Sequence, residues 1–269
     1  DGHLDIAYII IGEEGIKPGS VNFLKQLPSK PGIFAKMNKA ELIEAIAKES
    51  KLGTRLMRAD VNLDSFFDII YIIEKSGGDE VVVLLNDSSN PGSFSKVRTF
   101  PTGKDIKAAK IYDRWGELIF ELYSVTDNSL DIYRFNNDAD DISLQLQNSI
   151  PIRETQSDRS LAIGDLDGDG AAEAVILDDD SGYVFTYRKD MMVWINSIRS
   201  STPVGKQREL LLLDFDQDGR LDILYEEPYN DAPVSAKSFR KTTAENMYLK
   251  LKVEKNLIES PDSALSFED

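Results

Sequence analysis

The stretch that decides the fold is Asp165-Leu166-Asp167-Gly168-Asp169-Gly170-Ala171-Ala172-Glu173, in which acids fall at positions 1, 3, 5 and 9 and Gly at position 6. The pattern recurs as Asp214-Phe215-Asp216-Gln217-Asp218-Gly219-Arg220-Leu221-Asp222, and again as Asp60-Val61-Asn62-Leu63-Asp64-Ser65-Phe66-Phe67-Asp68. Alternate residues of a tight loop aim their side-chain oxygens at a common centre, which suits Ca2+ and its six to eight oxygen ligands at about 2.3–2.6 Å. Gly at position 6 permits a positive φ that a side chain resists. Crowded carboxylates repel one another, so such a cluster calls for a neutralising partner.

An EF-hand loop opens with similar letters but needs a bidentate Glu at position 12 and a helix on each side. Position 12 here is Ile176 or Tyr225, inside the short apolar runs Ala174–Leu177 and Ile223–Tyr225. Leu161–Ile163 and Leu210–Leu213 precede the loops in the same manner. The loops therefore join two strands, and the EF-hand is excluded.

The position-9 acids are Asp68, Glu173 and Asp222, with a cut-off copy ending at Asp5 and an eroded one at Asp113–Glu117 that lacks the acids of positions 1 and 3 (Ala109 and Ile111). Their spacing is roughly 50 residues with one outlier, the range of a propeller blade. Units are expected near 1–59, 60–108, 109–164, 165–213 and 214–269 of a single domain. The second reads as a meander of Ile69–Ile73, Val81–Leu85, Phe94–Phe100 and Ile106–Tyr112. Pro31-Gly32-Ile33-Phe34-Ala35-Lys36 parallels Pro91-Gly92-Ser93-Phe94-Ser95-Lys96, so Phe34 and Phe94 are expected at equivalent core positions. The outlier holds Asn38–Lys48, where Leu42, Ile43 and Ile46 share one helical face behind an Asn38 N-cap, so an inserted helix is expected near 38–50. The fold class that follows is all-β: a β-propeller of four-stranded blades, about five in this chain.

These loops and their setting resemble the FG-GAP and VCBS repeat family, the calcium-loop β-propellers also found in integrin α-subunit heads. The resemblance implies one Ca2+ per loop, between the first two strands of a blade, with the backbone carbonyl of position 7 as a further ligand. The implied metal ligands are Asp165, Asp167, Asp169, Ala171 and Glu173; Asp214, Asp216, Asp218, Arg220 and Asp222; and Asp60, Asn62, Asp64, Phe66 and Asp68. Asn62 and Ser65 depart from the pattern, which makes the last site the weakest. No Phe-Gly…Gly-Ala-Pro segment is evident, so the VCBS-like branch fits better. Adhesion, ligand binding and scaffolding are the roles the resemblance implies.

Composition sets the remaining bounds. The 269 residues carry 47 acids against 31 bases, a net charge of −16, which disfavours nucleic acid and anionic membrane as partners. No run is long and apolar enough for direct membrane insertion. With no cysteine and only His3, disulfides and Cys- or His-based zinc sites are ruled out. Asn137–Asp141 and Asp178–Asp180 read as solvated acidic turns, Trp115 and Trp194 as core residues, and Asn86-Asp87-Ser88 as a glycosylation sequon. No nucleophile elbow, P-loop or dinucleotide fingerprint occurs, so no catalytic residue is assigned.

The expected function is a non-enzymatic, calcium-binding protein-interaction or adhesion module on the extracellular or lumenal side of a membrane, with a protein as partner. Two alternatives stand beside it: an accessory subunit of a large organellar membrane assembly, and a carbohydrate-binding or carbohydrate-active propeller with a glycan as ligand. Because the first residues fall inside a repeat loop, the chain is expected to be a portion of a longer protein.

Overall fold

A computed structural model describes residues 6–10, 20–27, 30, 33–36, 51–94, 96–114, 118–138, 141–155, 159–166, 171–178, 181–188, 191–199, 210–215, 217, 219–229, 248–256 and 267–268. Every regular element among them is a β-strand. The strands follow one another in antiparallel sheets that keep chain order. The first sheet has β1 (Ile6–Ile10), β2 (Ser20–Gln26) and β3 (Phe34–Lys36); the second has β4 (Lys51–Ala59), β5 (Asp68–Glu74), β6 (Glu80–Leu85) and β7 (Lys96–Pro101). The third comprises β8 (Ala108–Arg114), β9 (Ile119–Val125), β10 (Ser129–Asp138) and β11 (Asp141–Pro151). The fourth comprises β12 (Ser160–Gly164), β13 (Glu173–Leu177), β14 (Ser181–Arg188) and β15 (Met191–Arg199). The last is β16 (Leu210–Leu213), β17 (Asp222–Tyr229), β18 (Tyr248–Asn256) and β19 (Phe267–Glu268).

The chain divides into two compact units, Asp1–Ile106 with Phe135–Gln145, and Lys107–Arg134 with Leu146–Asp269. Within the second, β12 lies against both β8 and β16, so first strands of successive sheets are neighbours; within the first, β1 lies against β4. This placement explains the burial pattern. Strand β13 is buried along its whole length because both of its faces are covered. Ala174 and Ile176 join Tyr123, Val125, Leu161 and Phe185 on one side. Val175 and Leu177 join Ala162, Val184, Ile223 and Tyr225 on the other. Successive side chains of a strand point to opposite faces, so an unbroken apolar run feeds two cores at once. The fourth strands β7 and β11 alternate toward solvent instead.

The second sheet begins one strand earlier than the meander Ile69–Tyr112, so that its loop lies between its first two strands, as the resemblance implies. Ala108–Arg114 opens the third sheet, and the second sheet takes its first strand from Lys51–Ala59. Each of the three intact acidic loops is thus internal to a sheet that starts one strand before it. The eroded copy at 109–117 has ceased to be such a loop. There β8 continues through Asp113 and Arg114 and pairs with β9 as far as Arg114↔Ile119. With Ala109 and Ile111 where acids would stand, the segment has the apolar content to extend as strand.

The Pro-Gly-x-Phe parallel is visible in the backbone. Leu27 N donates to Ile33 O (2.8 Å), Lys30 N to Leu27 O (3.0 Å) and Ile33 N to Lys30 O (3.0 Å). Asp87, Asn90 and Ser93 repeat all three bonds at 2.8, 2.9 and 3.0 Å. Phe94 is buried behind its copy of this turn. The inserted helix expected at Asn38–Lys48 lies outside the described residues.

One acid expected in a solvated turn is interior. Asp178 is buried, close enough to the Arg159 guanidinium to favour its charged form, while burial pushes that group down from its usual range. Arg159 is 1% exposed and donates to the carbonyls of Thr126 (2.7 Å) and Arg153, tying the β9–β10 turn to the segment after β11.

Neighbouring glycines of the β5–β6 turn give a sharp test of this geometry. Gly78 has φ +105°, and a Cβ there would lie 2.5 Å from the Gly103 carbonyl carbon; at Gly77 nothing lies within 4 Å. Gly78→Ala is expected to destabilise by about 2–4 kcal/mol, and Gly77→Ala by less than about 1 kcal/mol, in urea or thermal melts.

Candidate metal centre

The three intact loops share one frame. Their closing pairs are Ala59↔Asp68, Gly164↔Glu173 and Leu213↔Asp222, so in each the residue before position 1 faces position 9 across the first two strands. The position-9 carboxylate turns back into the loop and accepts the backbone N–H of position 2. The bonds are Val61 N to Asp68 Oδ2 at 3.0 Å, Leu166 N to Glu173 Oε2 at 2.7 Å, and Phe215 N to Asp222 Oδ2 at 3.1 Å. All three acids are at most 1% exposed. The second oxygen of Asp68 accepts Asn86 N (2.9 Å), and that of Glu173 accepts the Thr186 hydroxyl (2.7 Å), each from the third strand region of its own sheet.

Position 1 is held similarly from within. Asp60 accepts Asp64 N at 3.0 Å and Ser65 N at 2.8 Å, and Asp214 accepts Gly219 N at 2.9 Å. Backbone conformation also repeats. Position 4 is left-handed at Leu63 (φ 59°) and Gln217 (φ 64°), and position 6 at Ser65 (φ 73°) and Gly219 (φ 88°). Left-handed backbone costs an L-residue roughly 1–2 kcal/mol, so Leu63 and Ser65 burden the 60–68 loop twice. The 165–173 loop carries Gly168 and Gly170 at these two positions.

The structure describes every predicted ligand of the 60–68 loop. In the other two loops it describes Asp165, Ala171, Glu173, Asp214, Arg220 and Asp222, while Asp167, Asp169, Asp216 and Asp218 lie outside the described residues. Asp68 sits where burial pushes its carboxyl up to about 7, against the lowering effect of its two N–H donors and with help from the charges of Asp64 and Asp60. Among the described residues no three Asp, Glu or His side chains form a group placed to hold a metal ion. The donor sets of 165–173 and 214–222, four carboxylates at positions 1, 3, 5 and 9, have the hard-oxygen chemistry that Ca2+ takes.

Two features escaped the sequence reading. Asn86 is a structural clamp: its amide donates to Phe67 O (3.2 Å) and its Oδ1 accepts Gly92 N (2.8 Å), so both ends of the sequon side chain are engaged. Leu63, Phe67 and Phe215 of the loops are exposed, and the Arg58 guanidinium lies 5.0 Å from the centre of the Phe67 ring, at cation–π distance. His3 and Trp115 lie outside the described residues, and Trp194 stands on β15 opposite Phe185.

The burial difference between positions 1 and 9 gives the expected mutational ranking. In EGTA, Asp68→Ala or Glu173→Ala leaves buried donors unpaired and is expected to cost about 2–4 kcal/mol. Asp60→Ala frees N–H groups that water reaches and is expected to cost less than about 1 kcal/mol, read by urea denaturation.

No curated protein matches this chain. Residues 165–225, which hold two of the acidic loops and the strands between them, match the family model of an FG-GAP-like repeat.

Proposed function

We propose that the chain is a calcium-loop β-propeller that acts as a non-enzymatic protein-interaction module. One observation carries the reading: within successive antiparallel meanders, the acidic loop joins the first strand to the second, in the stretch that matches an FG-GAP-like repeat. Each sheet would be one blade. FG-GAP repeats are generally found in non-enzymatic proteins, and none of the catalytic motifs sought in the sequence occurs.

Ca2+ at 165–173 would be held by Asp165, Asp167, Asp169 and Glu173 with the Ala171 carbonyl, and at 214–222 by Asp214, Asp216, Asp218 and Asp222 with the Arg220 carbonyl. The ion supplies the positive charge that four clustered carboxylates need. Because the site forms only when strands one and two are paired, binding adds to folding stability by mass action. Loops stiffened in this way present a preorganised surface to a protein partner. Net charge −16 favours a partner with a basic face, and an extracellular or lumenal setting supplies Ca2+ at the concentrations such loops need.

Thermal melts of the full chain with Ca2+ and with EGTA test the metal. Saturation at 100 times the dissociation constant is worth about 2.7 kcal/mol per site, so the chelator is expected to lower Tm and added Ca2+ to restore it. Identical melts together with no Ca2+ retained on dialysis would refute the calcium loops. The interaction role predicts a defined protein retained on the immobilised chain in Ca2+ and a blank glycan array.

A further inference from the structure

The 60–68 loop has the outline of a calcium loop, yet its oxygens are committed elsewhere. Each carboxylate oxygen accepts a protein N–H: Asp60 takes Asp64 N and Ser65 N, Asp64 takes Phe66 N (2.9 Å) and the Asn62 amide (3.1 Å), and Asp68 takes Val61 N and Asn86 N. Asn62 Oδ1 accepts Asp64 N at 3.3 Å. A carboxylate oxygen has a second lone pair, so N–H bonds alone do not keep a cation out. Position 3 is where this loop differs in charge, although Asn62 Oδ1 is itself an oxygen of the kind Ca2+ takes. In the other loops it is Asp167 or Asp216, which bring oxygen only. Here it is Asn62, whose Nδ2 directs the positive end of an N–H dipole at Asp64, the acid of position 5.

The rest of the loop is adapted to the same state. It has three carboxylates where each of the other two has four. Asn137 Nδ2 donates to the Asn62 carbonyl, and Asn86 Nδ2 to the Phe67 carbonyl, so side-chain amides from elsewhere in the same compact unit tie the loop from outside.

We infer that the 60–68 loop is a cation-independent version of the acidic loop, in which the Asn62 amide and backbone N–H groups supply the positive charge that Ca2+ supplies at 165–173 and 214–222. The contrast with those two loops rests on the calcium reading given above. The prediction for this loop stands apart from it.

The test counts Ca2+ bound per full-length chain by equilibrium dialysis with atomic emission, folding being checked by circular dichroism. Asp64→Asn is expected to bind as many ions as wild type, and Asp167→Asn and Asp216→Asn one fewer each. A double variant, Asn62→Asp with Ser65→Gly, restores an acid at position 3 and a residue at ease with positive φ at position 6, and is expected to bind one ion more than wild type. Loss of one ion in Asp64→Asn overturns the inference, and so does a folded double variant with no additional ion. A wild type that binds no Ca2+ refutes the calcium reading alone, because the gain in the double variant is still legible from that baseline.

Discussion

A buried carboxylate folded back onto a backbone N–H seven residues earlier is the contact on which each intact unit depends. Position 9 begins the second strand, and its side chain points inward because the residues that follow alternate between two cores. Position 2 lies beyond the last paired residue of the first strand. Joining the two satisfies a buried donor and fixes the pairing Ala59↔Asp68, Gly164↔Glu173 or Leu213↔Asp222 in one step. A slip of one residue would turn every side chain of β13 to the wrong face. The polar bond and the apolar run of the second strand therefore specify the same register.

How the loops look in sequence follows from that division of labour. Acids at alternate positions are legible because they must be acids. Strand–loop–strand was legible too, since Ala174–Leu177 and Leu210–Leu213 are too short and too apolar to be helices flanking a loop. The assignment of strands to sheets was not. Consecutive hairpins look alike along a chain, and Ala108–Arg114 begins the third sheet because it pairs with β9. The position-2 to position-9 bond was also hidden, because any residue but proline donates a backbone N–H and so leaves no mark on the sequence. Asp178 misled for a related reason: a run of three acids reads as solvent-facing unless the arginine that meets it, Arg159, is known to come from another part of the chain.

The two left-handed positions show how conformation and charge are balanced against each other. Gly219 and Gln217 hold the 214–222 loop in the same shape that Ser65 and Leu63 hold 60–68. Strain at a non-glycine residue persists only where the surroundings over-determine it. At 60–68 they do: Asn86 and Asn137 fasten the loop from outside, and Asp60 and Asp68 from within. Glycine adopts positive φ without steric strain but has more backbone freedom to lose on folding. Four carboxylates without an amide between them also repel one another more strongly than three.

Acidic loops with an acid and with an amide at position 3 therefore occur in one chain. Acids gathered at a turn must be met by positive charge or by N–H dipoles. An external cation meets them strongly but makes the loop responsive to its concentration. Internal amides meet them less strongly, at all concentrations, and need extra residues such as Asn62, Asn86 and Asn137 in place. The eroded copy at 109–117 reaches a third outcome, in which the acids of positions 1 and 3 are gone and the hairpin closes as plain strand up to Arg114↔Ile119. The repeated element under the physical constraint is thus the strand pair and its register. The acids of the loop differ from unit to unit, while the meander beneath them stays the same.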